Sequence, residues 1–124
     1  MGTTKRHFYT ENQLEMANLC KALGHPARIT IVEKLLEYEN LNCKDLQFFI
    51  PLAQSTISQH LEVLYNAGIL GYEANGNGSN YKVNKIAMKK VTEYLQKVNN
   101  SSQLQKYSLL FTNCKPQYEV LTKT

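Results

Sequence analysis

No stretch of this chain approaches the ~18 consecutive apolar residues that a membrane-crossing helix needs. Its opening, MGTTKRHFYTENQ, has no apolar core of the kind an export signal carries. Both absences set the expectation of a cytoplasmic protein with no membrane partner. Cysteine is scarce: Cys20, Cys43 and Cys114 are widely spaced and odd in number. That pattern excludes the disulfide framework of a small secreted domain and leaves reduced thiols as the default. No Ser-His-Asp, Cys-His, phosphate-loop or zinc-protease constellation is apparent, so the chain does not read as an enzyme and implies no cofactor. There is no internal repeat and no low-complexity tract. Charge is modest as well. Lys and Arg number 14 against 10 Asp and Glu, a net +4 with 19% of residues charged. This mild excess suits a polyanionic partner without identifying one.

What is present fits one domain. With 124 residues, 43% of them hydrophobic, the chain can build a real but small core, and domains of this size often gain stability by pairing. Residues 1–10 are polar and read as a flexible arm. Residues 11–99 read as the folded domain, and 100–124 as an extension with a short helix over Leu104–Phe111 and a tail. A helical period begins at Glu11, with Met16, Leu19, Cys20 and Leu23 on one stripe. Gly24 stops it, and Pro26 is placed as the first residue of a second helix, where Ile29, Val32 and Leu36 share a face flanked by Ile31 and Leu35. Asn42 and Asp45 form a cap signature ahead of a short helix, Cys43 to Ile50, which Pro51 ends. A longer helix runs from Gln54 to Ala67 and closes at Gly68. Ile69–Ala74 and Ser79–Val83 flank Asn75-Gly76-Asn77-Gly78, a hairpin signal. Asn84 then caps a last helix with the stripe Met88, Val91, Leu95, Val98. The stripe and the off-core face of the first helix call for a partner surface, which predicts a homodimer. The resulting class is mainly α with a β-hairpin wing: a winged helix-turn-helix with flanking dimerisation helices.

Residues 42–67, NCKDLQFFIPLAQSTISQHLEVLYNA, carry the chemistry. A short helix, a tight turn and a longer helix make the bihelical unit that reads DNA. At about 100° per residue, Ile57, Leu61 and Leu64 point inward together, and Ser55 and Gln59 point nearly opposite. Thr56 flanks that outer face, and Gln54 and Ser58 sit toward one shoulder. The outward surface is therefore Gln, Ser, Thr, Ser, Gln. Gln can address an adenine edge bidentately, Ser and Thr reach bases or phosphates, and a helix N-terminus attracts phosphate. The bland reading of the same residues is a solvated helix face; the elements on either side of them favour DNA.

Three motifs then resemble one family. Ala22-Leu23-Gly24-His25-Pro26-Ala27-Arg28 resembles the A-L-x-H/D-P-x-R signature of ArsR/SmtB-type repressors. Ser55-Thr56-Ile57-Ser58-Gln59-His60-Leu61 resembles their recognition helix, and Leu64-Tyr65-Asn66-Ala67-Gly68-Ile69-Leu70 their exit into the wing. Tyr81 stands where the family usually has an aromatic. The resemblance runs from about Met16 to Val91. It implies a homodimeric repressor that holds a near-palindromic double-stranded operator until an inducer, here unknown, releases it. It also implies dimerisation through the first and last helices. The implied DNA-binding residues are Gln54, Ser55, Thr56, Ser58, Gln59 and His60 on the reading helix, Lys44 before it, and Asn77 and Lys82 in the wing. Departures accompany it. Pro51 and Ala53 replace the usual glycine and serine of the turn, and the wing holds only Glu73 and Lys82 as charged residues within Tyr72–Val83. That polar wing keeps open a second reading, a winged-helix module for protein contacts without specific DNA binding.

The resemblance also implies which sensors are missing. Where one family type carries a Cys-x-Cys pair, Asn42 and Lys44 stand here, and the last helix lacks the histidines of another type, so no metal site is expected. Cys114, Cys20 and Cys43 remain as candidate thiol sensors. Cys114, beside Lys115, is the expected accessible one, and Cys20 and Cys43 fall on apolar stripes or core positions. His60 reads as a hydrogen-bonded residue beside the apolar seam, and Arg28 as a structural contact to a carbonyl or a carboxylate.

Overall fold

The computed structural model describes residues 6–75 and 78–101. The expected helix over Leu104–Phe111, Asn77 at the wing tip and Cys114 lie outside the described residues. Two compact units are distinguished, Met1–Thr92 and Glu93–Thr124, and the second is described only for the last turns of its helix. After a 3-10 turn at Arg6–Phe8 come α1 (Glu11–Leu23), α2 (Pro26–Glu37), α3 (Cys43–Leu46), α4 (Gln54–Asn66), β1 (Leu70–Asn75), β2 (Gly78–Val83) and α5 (Lys85–Asn99). This is a winged helix-turn-helix: α3 and α4 form the bihelical unit and the antiparallel hairpin follows it.

Local chemistry sets each boundary. Thr10 and Gln13 make a reciprocal capping box at the start of α1, Thr10 Oγ1 accepting from Gln13 N–H at 3.0 Å and Gln13 Oε1 from Thr10 N–H at 2.9 Å. Pro26 opens α2, with His25 as its N-cap. Asn42 and Asp45 repeat the capping box at α3 (2.8 and 3.0 Å). Gly68 closes the stretch after α4 at φ +85°, a left-handed conformation that costs glycine nothing. Asn84 then serves two elements. Its Oδ1 accepts from the first-turn amides of Ile86 and Ala87, and its Nδ2 donates to the Gly68 carbonyl at 3.0 Å. The hairpin register pairs Leu70 with Val83 and Tyr72 with Tyr81.

The core is centred on α4. Ile31, Leu46, Ile57, Leu61, Leu64 and Ile69 are the largest fully buried side chains, and α4 packs on α2, α3, α1 and β1. Three expectations change. On α2 the buried residues are Ala27, Ile31 and Val32, whereas Ile29 and Leu36 are exposed. On α1 Ala22 joins Met16 and Leu19 in the core, while Cys20 turns to solvent. The short helix ends at Leu46 instead of Ile50. Phe48 and Phe49 bond back three residues, to Asp45 and Leu46, so the chain tightens into turns before Pro51 is reached.

Candidate nucleic-acid interface

Along α4 one face is wholly apolar and buried and the opposite face is polar. Gln54, Ser55, Ser58 and Gln59 are exposed, and Thr56 and His60 are half-buried. Ala53, the residue before the helix, offers no side-chain cap. The first amides of α4 therefore carry the positive end of the helix dipole with no competing side-chain oxygen, a setting that favours an anion such as phosphate. Lys44 on α3 and Lys82 on β2 are both exposed. The structure thus leaves six of the expected side chains, Lys44, Gln54, Ser55, Ser58, Gln59 and Lys82, exposed to meet a ligand.

His60 is different. Its Nδ1 lies 3.3 Å from Nη1 of Arg28, and its ring sits 4.5 Å from that of His25, centroid to centroid. Burial, then the neighbouring His25 and Arg28, hold the His60 imidazole below the usual histidine value. Arg28 makes the carbonyl contact, its Nε donating to the Ala22 oxygen at 2.6 Å.

The junction of α4 with the wing is aromatic. Tyr65, Tyr72 and Tyr81 meet edge to face with centroids 5.4–6.5 Å apart, within the range where aromatic pairs attract beyond their area burial. Burial, then Tyr72, Cys43, Glu62 and Tyr65, push the Tyr81 phenol upward, so it stays neutral. Sequence reasoning missed this trio. Its one legible trace is that Tyr72 and Tyr81 sit at facing positions of the hairpin, where cross-strand pairs interact. On the far side, Asn80 Nδ2 donates to Asn40 Oδ1 at 3.5 Å, and Asn40 takes φ 61°, a region asparagine tolerates better than most residues.

The thiols separate clearly. Cys20 is exposed. Cys43 is half-buried, its Sγ donating to the Gln54 carbonyl at 3.4 Å, and burial pushes its thiol up. Asn42 is committed to capping α3.

Comparison with known proteins agrees with this architecture. Residues 25–72 match the family model described as bacterial regulatory protein, arsR family. The biofilm growth-associated repressor of Xylella fastidiosa is 41% identical over 61 residues, 49% of this chain and 53% of that protein. The chain spans little more than half the length of the first curated relatives it matches. Among solved structures, the transcriptional repressor PagR of Bacillus anthracis superposes with a TM-score of 0.55 at 30% identity, covering 63% of this chain and 91% of that one. An ArsR-like regulator from Rhodococcus sp. RHA1 gives a TM-score of 0.68 over 86% of this chain and 98% of its own, at 17% identity, a likeness of fold. The helix-turn-helix match, together with identity sustained along nearly all of PagR, establishes that this chain belongs to the ArsR family, whose members are transcriptional regulators and not enzymes.

Proposed function

We propose that this protein is a cytoplasmic, homodimeric repressor that binds a short near-palindromic DNA operator. The observation that carries this reading is the two-faced reading helix: Ile57, Leu61 and Leu64 lock α4 into the core while Gln54, Ser55, Ser58 and Gln59 stand exposed on its outer side. Such a helix offers amide and hydroxyl groups to base edges from a rigid support. Thr56 borders the same surface, and Lys44 and Lys82 supply phosphate contacts from the elements before and after it. Asn77 extends the proposal to the wing tip. A dimer is supported by α5, where Leu95 and Val98 are 54% and 46% exposed, an apolar stripe that a second copy would cover.

The effector belongs to the same proposal. A thiol-reactive inducer would meet Cys20 readily, whereas Cys43 is engaged at the first residue of α4. Cys114 completes the candidate set.

Selection of genomic fragments bound by the full chain tests the reading. The expected result is enrichment of a short near-palindrome, bound as a dimer in sedimentation at micromolar concentration. No preference over competitor DNA, or a monomer throughout, would overturn it and favour the protein-contact module. Operator release by oxidant, polysulfide, arsenite or cadmium should be lost in the triple Cys→Ser variant. Release that persists there would remove the cysteines from the account.

A further inference from the structure

The turn between α1 and α2 meets the middle of α4 in a basic cluster that belongs neither to the outer face nor to the apolar core. His25 Nδ1 accepts from the Ala27 N–H at 3.0 Å, so that nitrogen carries no proton. Arg28 reaches both ways, donating from Nε to the Ala22 carbonyl at 2.6 Å and facing His60 Nδ1 with Nη1 at 3.3 Å. A guanidinium can only donate, so His60 Nδ1 is the acceptor and is also unprotonated. Two imidazoles with centroids 4.5 Å apart and planes tilted by 46° thus both work as acceptors, beside a group that never loses its charge.

We propose that Arg28 is a positioning residue for the reading helix, holding α4 through neutral His60, so that acidification loosens α4 and weakens operator binding. The inference rests on the DNA-binding reading above. A proton on His60 Nδ1 turns the acceptor into a donor and sets a second cation 3.3 Å from the guanidinium. The groups facing His60 are His25 from the turn and Arg28 from α2, and Lys21 of α1 lines the same cleft as Arg28. Among the described residues no carboxylate lies within salt-bridge distance of either ring, so no ion pair among them offsets added positive charge.

The sign follows from the environment. Burial, His25 and Arg28 lower the affinity of His60 for its proton in the folded protein. The stabilisation from neutral His60 is therefore fully present above the unfolded-state value of ~6.5 and is lost as pH falls through the lower folded-state value. A histidine that merely faced phosphate would act oppositely, since acid would charge it and tighten binding to every duplex.

Anisotropy titrations of the full chain with its selected operator and a scrambled duplex, at about pH 7.5 and about pH 5.8 and constant ionic strength, separate the two behaviours. Histidine and backbone NMR of the free protein accompanies them over the same range. The expected result is an operator Kd that rises on acidification, by less than the roughly fivefold that an imidazole of ordinary proton affinity would give, while the scrambled duplex is held as well or better. The NMR should show the His60 imidazole unprotonated at Nδ1 at the higher pH, with α4 amide shifts that track His60. In His60→Asn a carbonyl replaces the titrating acceptor, and the operator Kd should show no such rise between the two conditions. Operator binding that is unchanged or tighter in acid, or a pH dependence that survives in His60→Asn, would overturn the proposal. If no duplex is preferred at either pH, the DNA-binding reading itself fails. The NMR then still decides the coupling, because α4 amides that ignore His60 would refute it.

Discussion

α4 and α5 both carry apolar stripes, yet they meet opposite fates. On α4, Ile57, Leu61 and Leu64 are all at most 1% exposed, covered by α2, α3, α1 and β1 of the same chain. On α5, Ala87 and Val91 are buried, but Leu95 and Val98 lie open. Burying one large apolar side chain contributes about 1.5–3 kcal/mol, a gain realised in full on α4 and only in part on α5. The helix that presents the candidate reading face is made rigid by its own chain. The last helix keeps unspent apolar surface, the property expected of an element that meets a second copy.

The largest effect should come from the buried stripe. Leu61→Ala is expected to destabilise the fold by roughly 2–5 kcal/mol in chemical denaturation, because it removes contacts and leaves a cavity. Leu95→Ala should cost far less in the same assay at low protein concentration. Equal losses would erase the contrast between the helices. Charging the open stripe, with Leu95→Glu and Val98→Glu together, should convert a sedimenting dimer to monomer while leaving the secondary structure intact. A dimer that persists would place the interface elsewhere.

On the outer face of α4 the expected changes are smaller and confined to binding. Gln59→Ala should weaken specific operator binding by about 1–3 kcal/mol with an unaltered melting temperature. Lys82→Ala and Lys44→Ala should lower affinity for all sequences and each reduce the salt slope by about 1. Asn42→Ala removes the reciprocal cap of α3 and should cost about 0.5–2 kcal/mol in stability. Last comes a difference of rate. In a Cys114→Ser background a maleimide should modify Cys20 before Cys43, as peptide mapping would report. Cys43 is the less reactive because burial raises its thiol pKa and its Sγ already donates to the Gln54 carbonyl. Faster labelling of Cys43 would mean that the start of α4 opens readily.

The sequence by itself determined the order of the elements and most of their ends. Pro26 at the first helical position, the Asn42–Asp45 box, Gly68 and the Asn84 cap act through neighbours a few residues away, so local spacing suffices to read them. The same holds for the two-faced pattern of α4, where Ile57, Leu61 and Leu64 leave a single consistent inward direction. Tertiary structure decided what local spacing leaves degenerate. On α2, Ile29 and Leu36 compete with Ile31 for the inward stripe, and the packing of α2 on β2, α4 and α1 selects Ile31. On α1, Cys20 sits one position round from Leu19, and a rotation that buries Ala22 carries the thiol out to solvent. The bond from Arg28 to His60 spans 32 positions, and the Tyr65–Tyr72–Tyr81 contacts join a helix to both strands of a hairpin. A period of 3.6 residues fixes which side chains share a face, but the neighbour that covers the face is supplied by distant chain, and only packing determines which one arrives.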